Sequence, residues 1–295
     1  MTLRGPPDER DPDELLAFGV VNLDKPPGPS AHEVAGWVRD HAGVERAAHA
    51  GTLDPKVTGC LPVLTGTATR CAQVFDDAEK EYVAVLELHG PAPADLEAVL
   101  AEFEGPIYQK PPRKSAVKRE LRVREVSALD ILERADRRAL LRIRCEAGTY
   151  VRKLCHDLGL ALGTGAHMGD LRRTATGTFD DAALATMHDL VDALAFWRED
   201  GEEGPLREVL KPAERALEGL PSVTIAPGAA REVAEGAPVY APGVIEVGDL
   251  ADAPDGTAPL VACYTPNGAA VCLGRLVGDP DADRGTVVDL ERVLV

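Results

Sequence analysis

The residues of this chain that are best placed to do chemistry lie in one short segment, His49 to Cys60, which reads His-Ala-Gly-Thr-Leu-Asp-Pro-Lys-Val-Thr-Gly-Cys. Its one carboxylate, Asp54, lies between the turn-forming Gly51-Thr52 and Pro55. Proline fixes its own φ and confines the preceding residue to extended conformations, so the segment holds Asp54 in a stiff loop. An Asp-Pro pair alone is typical of a simple turn, which is the structural alternative. A fixed, ionised carboxylate can also act as a nucleophile that forms a covalent intermediate.

Two further blocks carry residue types that would complete such a site. Lys80-Glu-Tyr82 places an aromatic ring 28 residues after Asp54. A later block reads Gly148-Thr-Tyr-Val-Arg152 and is followed by Leu171-Arg172-Arg173. A guanidinium group close to a carboxylate favours its ionised form. Because adjacent residues on a strand face opposite sides, only one of Arg172 and Arg173 can pair with Asp54.

Together these blocks resemble the TruB family of pseudouridine synthases, and Lys56-Val-Thr-Gly-Cys-Leu61 resembles its archaeal and eukaryotic branch, the dyskerin relatives. The resemblance extends over nearly the whole chain from Val20 onward. It implies that Asp54 is the nucleophile that converts uridine to pseudouridine. It also implies that Tyr82 stacks on the target base, that His49 helps to hold the flipped-out nucleotide, and that Arg172 or Arg173 pairs with Asp54.

A basic stretch, Lys110-Pro-Pro-Arg-Lys-Ser-Ala-Val-Lys-Arg119, contains no acidic residue. A run of this kind is usually a solvated face, but the resemblance implies a thumb that grips RNA through its phosphates. Arg152 is expected to contact RNA phosphate or to order the fold. The candidate RNA-binding residues are therefore His49, Lys110, Arg113, Lys114, Lys118, Arg119 and Arg152.

The sequence predicts neither a cofactor, nor a metal site, nor a membrane span. It contains no Gly-rich phosphate loop, and its six cysteines include no Cys-x-x-Cys pair, so reduced, buried thiols are expected. It has no apolar run of about 18 residues, and residues 1–14 are charged and proline-rich, without the apolar core of a signal peptide. These features predict a cytoplasmic protein.

The charges of the chain are unevenly distributed. The net charge is −17, but residues 105–173 carry 16 Lys and Arg against 8 Asp and Glu, whereas the rest of the chain carries 16 against 41. One basic region therefore lies within an acidic protein, as expected for a protein that binds RNA locally. The chain has 24 Arg and only 8 Lys. An acidic surface with few lysines favours a high-salt cytoplasm, where screening acts over roughly 3 Å; an acidic protein from ordinary salt is the alternative.

The elements that must position these residues follow from the apolar periodicity. Ser30 and Glu33 fit a capping box in front of a helix over 31–42. Alternation predicts strands over 18–23, 81–88 and 138–146, and helical spacing predicts helices over 67–76, 94–103 and 149–162, with mostly helical structure over 189–217. Residues 105–124 are predicted to be a basic loop that leads into a strand. Strands and helices without regular βαβ spacing predict an α+β fold with a mixed or antiparallel sheet.

The chain divides into three predicted parts: a polar leader (1–17), a catalytic domain (18–219) and a small domain (220–295). From Ser222 onward, short apolar runs broken by Gly, Pro and Asp predict a small β barrel. Within it, Gly236-Ala-Pro-Val-Tyr-Ala-Pro-Gly-Val244 resembles the start of a PUA domain, an RNA-binding module. The resemblance thus implies a pseudouridine synthase catalytic domain followed by a C-terminal β-barrel PUA domain.

The resemblance implies RNA as the substrate, with two possible targets. The TruB side implies the uridine of the tRNA T-arm loop; the dyskerin side implies rRNA, box H/ACA guide RNA and small companion proteins. A non-catalytic RNA-binding scaffold is the principal alternative. A sugar hydrolase with a carboxylate nucleophile would need a second carboxylate as general acid, and no motif supplies one.

Overall fold

The computed structural model describes residues 3–111, 118–249 and 258–295, which form two sheets flanked by helices. Within these residues the first sheet has ten strands in the order β10-β1-β3-β8-β4-β7-β6-β5, with β2 paired to β3 and β9 to β8. Its strands are Phe18–Lys25 (β1), Ala47–His49 (β2), Thr58–Gly66 (β3), Lys80–Leu88 (β4), Gly105–Gln109 (β5), Arg122–Arg134 (β6), Arg138–Cys145 (β7), Ala166–Thr176 (β8), Phe179–Asp180 (β9) and Leu210–Pro212 (β10).

The second sheet has six strands in the described residues, in the order β12-β16-β15-β14-β11-β13. They are Ser222–Ile225 (β11), Val239–Tyr240 (β12), Val244–Val247 (β13), Leu260–Tyr264 (β14), Ala270–Leu276 (β15) and Thr286–Val293 (β16). The sheet nearly closes into a barrel, and the α+β class predicted from the sequence is confirmed.

Seven α-helices and four short 3₁₀ segments connect the described strands. The helices are Pro12–Ala17 (α1), Ala31–Ala42 (α2), Leu96–Ala101 (α3), Val151–Ala161 (α4), Met187–Asp200 (α5), Gly204–Val209 (α6) and Pro227–Ala234 (α7). The 3₁₀ segments are Pro7–Glu9, Thr67–Phe75, Ala213–Leu217 and Ala241–Gly243. None of the helices in the described ranges is long and apolar enough to cross a membrane.

Helix α2 shows how local sequence sets an element. Ser30 and Glu33 form the predicted capping box, and the helix ends at Gly43, whose φ of 71° is left-handed. Its apolar face, including Val34 and Val38, packs into a core with residues of β1 and β3. The prediction of a helix over 31–42 is confirmed.

Strand β3 connects the Asp54 loop to the rest of the sheet. It is antiparallel to β1 and parallel to β8, where Thr58 faces Arg172 and Gly59 faces Arg173. Gly59 has a φ of 98°, and a Cβ there would lie 2.2 Å from the carbonyl oxygen of Arg173. Only glycine permits this approach, so the strand leaving the Asp54 loop is fixed directly beside the arginine pair.

The structure corrects the prediction for residues 105–124. Gly105–Gln109 is not loop but the edge strand β5, paired antiparallel with β6 from Gly105↔Val126 to Gln109↔Arg122. The strand is short and includes a proline, so its local pattern gives little strand signal. Pairing with the longer strand β6 stabilises the extended conformation that the local sequence alone does not predict.

The predicted polar leader is an integral part of the fold. It contains α1, and Arg10 is buried with its guanidinium 2.9 and 2.7 Å from the two carboxylate oxygens of Glu214. Glu214 also accepts a hydrogen bond from the backbone N–H of Ala270 in β15, at 3.0 Å. The N-terminal segment thereby joins the two sheets, whose cores also merge through Phe18 and Leu273 in one cluster.

Candidate active site

The buried ammonium group of Lys25 holds the loop that carries Asp54. Lys25 is fully buried at the end of β1, and its Nζ donates to the carbonyl oxygens of Pro26, Pro55 and Val57 at 2.9, 3.0 and 2.8 Å. Burial lowers the pKa of Lys25. Two of the three acceptors lie just after Asp54, so the lysine fixes the backbone that carries the carboxylate.

The Asp54 carboxylate forms an ion pair with Arg152, in the first turn of α4. The two side chains are 51% and 52% exposed, so the pair lies at the surface, where a substrate can reach it. The prediction that Arg172 or Arg173 pairs with Asp54 is therefore wrong for this structure. Arg152, expected among the RNA contacts, provides the partner from the first turn of α4.

Arg173 points into the protein behind the loop. Its guanidinium is 1% exposed, and it donates from Nε to the carbonyl oxygen of Cys60 at 2.7 Å and from Nη2 to that of Ala50 at 3.3 Å. Cys60 and Ala50 lie on opposite sides of Asp54 in the chain. Arg173 thus clamps both ends of the loop without contacting the carboxylate itself.

Arg172 faces the opposite side of the sheet, as adjacent strand residues must. Two of its nitrogens lie 2.9 and 3.2 Å from the carboxylate oxygens of Asp24, and its Nε lies 3.5 Å from Asp181. The hydrogen bond to Asp24 is the main cause of a raised Arg172 pKa. Because two carboxylates already lie beside it, Arg172 binds Asp24 at the end of β1 and does not pair with Asp54.

Tyr82 lies on β4, directly across from Arg173 on β8. It is half-buried and packs against two core clusters. Burial raises the pKa of the phenol, while the nearby Arg173 opposes that rise. A phenol with a raised pKa is a poor proton acceptor at neutral pH, so the environment of Tyr82 favours the stacking role.

His49 ends β2 on the N-terminal side of the loop. Burial is the main cause of its lowered pKa, so the neutral imidazole is favoured near neutral pH. Its Nδ1 is buried and has no hydrogen-bond partner among the described residues. A contact to a bound nucleotide remains a prediction for this residue.

The predicted RNA-binding stretch follows the edge strand β5 in the sequence. Lys110, Lys118 and Arg119 are exposed; Lys118 forms an ion pair with Glu120, and Arg119 donates to the carbonyl oxygen of Pro111 at 3.0 Å. Arg113 and Lys114 lie outside the described residues. The RNA contacts of this stretch remain predictions.

Lys80 is a site residue that the sequence analysis missed. It is 6% exposed, and its Nζ donates to the carbonyl oxygens of Phe75 and Ala78 at 2.5 and 2.6 Å. Burial first, and the charge of Arg173 second, lower its pKa to about 8. A signal was present, because a residue two positions before Tyr82 on a strand must share its inward face.

These residues form a carboxylate site with few parts. The Asp54 carboxylate is paired with a half-exposed arginine, buried Lys25 and Arg173 hold the backbone of its loop, and buried Lys80 holds the backbone that precedes β4 and Tyr82. Such a site can make and break one covalent bond to a sugar or base carbon.

Comparison with known proteins gives three family matches. "TruB family pseudouridylate synthase (N terminal domain)" matches residues 39–95, "tRNA pseudouridylate synthase B C-terminal domain" matches 152–218, and "DKCLD (NUC011) domain" matches 5–35. A probable tRNA pseudouridine synthase B from Haloarcula marismortui is 71% identical over 100% of this chain and 94% of its own length.

Solved structures agree with the sequence relatives. A chain in the crystal structure of a Cbf5-Nop10-Gar1 complex is 45% identical with a TM-score of 0.92, covering 99% of this chain and 90% of that chain. A chain in the structure of an H/ACA RNP bound to a substrate RNA containing 2′-deoxyuridine is 42% identical with a TM-score of 0.91, over 99% and 90%.

Proposed function

This chain belongs to the TruB family of pseudouridine synthases, and we propose that it isomerises uridine to pseudouridine in RNA with Asp54 as the nucleophile. The observation that carries the assignment of Asp54 is its position: a stiff loop presents the carboxylate, paired with Arg152, half exposed at the protein surface. The Asp54 carboxylate forms a covalent bond to the nucleotide, and this bond breaks again before the product leaves. In the net reaction the N1–C1′ bond breaks, a C5–C1′ bond forms, and a proton moves from C5 to N1. Atoms and electrons balance without a cofactor.

The roles of the other residues follow from their surroundings. Arg152 orients the Asp54 carboxylate and balances its charge, Tyr82 stacks on the flipped base, and His49 contacts the nucleotide. Arg173 positions the loop from behind, whereas Arg172 orders the sheet through Asp24. Extruding the base from its stack costs a few kcal/mol, which contacts to the rest of the RNA must offset.

Two RNA targets fit the family. Relatives are named tRNA pseudouridine synthase B, which favours a tRNA uridine in the T-arm loop; a similar chain occurs in an H/ACA particle with substrate RNA, which favours guided rRNA modification. The second target would bring guide RNA and small companion proteins as partners. The proposed layout is a catalytic domain (18–219) and an RNA-binding PUA domain (220–295), acting in the cytoplasm.

The direct test of this function uses purified protein and a tRNA transcript. We expect pseudouridine in the T-arm loop without guide RNA, and none when the target uridine is replaced by cytidine. Conversion only with a guide RNA and companion proteins would identify a guided enzyme instead. RNA binding without conversion under both conditions would support the non-catalytic scaffold and contradict the proposal.

A further inference from the structure

A cavity of about 340 Å³ opens at the end of the first sheet remote from Asp54, and its lining is cationic although the chain is acidic. The end of β4, the start of β8 and the turn between β6 and β7 meet there. The lining residues are Glu87, Leu88, His89, Arg137, Arg138 and His167. From Tyr82 to His89 the chain rises by about 23 Å, at about 3.3 Å per residue. The cavity is therefore separate from the active site.

The two histidines are held in fixed contact. Nε2 of His89 lies 3.0 Å from Nδ1 of His167, so one ring donates a hydrogen bond and the other accepts it. The backbone N–H of His89 donates to the carbonyl oxygen of Gly165 at 3.0 Å, and Arg137 donates to the carbonyl oxygen of His89 at 2.6 Å. A Cβ on Gly165 would lie 2.9 Å from Nδ1 of His89, so this glycine leaves room for the ring.

The ion pairs on this face leave the cavity with an excess of positive charge. Along β7, Arg144 and Arg142 lie 2.7 and 3.0 Å from the carboxylates of Glu81 and Asp130. At the cavity, Glu87 is the one acidic lining residue for two arginines, and it lies 3.4 Å from Arg138. That separation exceeds an ordinary N–H···O hydrogen bond. The Arg138 side chain is 66% exposed, so an incoming anion can reach it.

The lining chemistry selects an oxyanion over a metal ion. Two imidazole nitrogens could begin a metal site, but no group of three His, Cys, Asp or Glu side chains is placed to hold one within the described ranges. Two guanidinium groups also oppose a bound cation. By contrast, guanidinium N–H groups match the oxygens of a phosphate, and an imidazole N–H adds a further donor.

We propose that His89, His167, Arg137 and Arg138 form a phosphate-binding site outside the active site. Its phosphate comes either from the RNA backbone, several nucleotides from the target uridine, or from a free phosphate. The RNA source rests on the proposed function, whereas phosphate binding itself does not. Contacts of this kind position an RNA and carry no sequence information.

The test replaces the two guanidinium groups and measures both phosphate sources. The variant is Arg137→Gln with Arg138→Gln, and its matched control is Arg142→Gln with Asp130→Asn, which removes a closely paired arginine of β7 and its acid on the neighbouring strand β6. The first probe is a tRNA transcript, whose Kd is measured over KCl concentrations at which melting curves show every variant folded. The second probe is inorganic phosphate, followed through the imidazole NMR signals of His89 and His167.

An RNA source predicts a plot of log Kd against log salt that is shallower by about 1 to 2 in the variant, because one or two phosphate contacts are lost. The control keeps the wild-type slope, and the rate of pseudouridine formation at saturating RNA stays unchanged. A free-phosphate source predicts equal slopes, with phosphate shifting the imidazole signals in the wild type and the control but not in the variant.

The proposal is overturned if the slopes are equal and inorganic phosphate leaves the imidazole signals unmoved. The proposal is equally overturned if the salt slope of the variant is reduced no more than that of the control and phosphate shifts no imidazole signal. Failure of the proposed function would appear differently, as wild-type protein that forms no pseudouridine, since neither readout here depends on turnover.

Discussion

At the scale of single residues, one arginine of the site pairs with the carboxylate and another supports the backbone. Arg152 pairs with Asp54 and is half exposed, whereas Arg173 is buried and donates to the carbonyl oxygens of Cys60 and Ala50. The sequence motif predicted an arginine partner for Asp54 but chose the wrong one. The choice depends on where α4 begins relative to the loop, which is a tertiary contact that no local pattern reports.

Substitution of Arg152 should therefore lower the reaction rate, whereas substitution of Arg173 should lower the stability. We expect Arg152→Gln to lower the single-turnover rate by about 100-fold or more, the range for losing one electrostatic group at a reaction centre, with little change in melting temperature. Arg173→Met should instead cost about 1–3 kcal/mol of stability for each buried carbonyl left unpaired. Rate and thermal unfolding measured on both variants check this, and a folding defect in Arg152→Gln with a normal rate would refute it.

Tyr82 is predicted to act through its ring. Because burial raises the pKa of its phenol, loss of the hydroxyl should matter little, and loss of the ring should matter more. We expect Tyr82→Phe to stay within about tenfold of the wild-type rate, and Tyr82→Ala to lose the stacking energy of about 1–3 kcal/mol. Equal losses in the two variants, measured at saturating RNA, would show that the hydroxyl takes part in proton transfer.

At the scale of elements, the site depends on pairings that join distant parts of the chain. The stiffness of the Asp54 loop and helix α2 could be predicted, because Pro55 and the Ser30–Glu33 capping box act locally. The parallel pairing of β3 with β8 could not be predicted, because it joins Gly59 to Arg173 across more than a hundred residues. Edge strand β5 escaped prediction for a related reason, since its partner β6 stabilises it.

Lys80, at the start of β4, is expected to make the free energy of unfolding depend on pH. Its pKa is lowered by burial from 10.5 to about 8 in the folded protein. Between these values the unfolded chain binds the proton and the folded protein does not, so the free energy of unfolding rises with pH across that window. The slope from this group is at most about 1.4 kcal/mol per pH unit.

The measurement compares wild type with Lys80→Met by chemical unfolding from pH 7 to 10. We expect the stability difference between the two proteins to shift in favour of wild type as pH rises above about 8, because only the wild type gains from release of this proton. A difference that does not change with pH would contradict a lowered Lys80 pKa.

At the scale of the whole molecule, polar and apolar contacts connect the two sheets. The Arg10–Glu214 pair, the hydrogen bond to Ala270 and a shared apolar cluster connect the N-terminal segment, the first sheet and the second. The sequence predicted the two sheets from their patterns but took the N-terminal segment for a polar leader. Its polar residues predict solvent exposure, but Arg10 is buried against Glu214, which lies 204 residues away in the chain.

The net charge of −17 predicts that salt affects the stability of the fold. We expect the melting temperature to rise steeply between low and molar KCl, because screening over a few ångströms relieves repulsion among surface carboxylates. The buried Arg10–Glu214 pair should contribute little to this rise, so Glu214→Gln should lower the melting temperature at every salt concentration. Wild-type protein that is fully folded and equally stable without added salt would contradict adaptation to high salt.

The most direct test of the account is the rate of pseudouridine formation by Asp54→Asn under single-turnover conditions. The substitution keeps the size of the side chain, and Asp54 is half exposed, so RNA binding and melting temperature should remain close to wild type. If Asp54 is the nucleophile, this variant forms no detectable pseudouridine while the wild type converts its target. Conversion by Asp54→Asn at the wild-type rate would show that another group is the nucleophile.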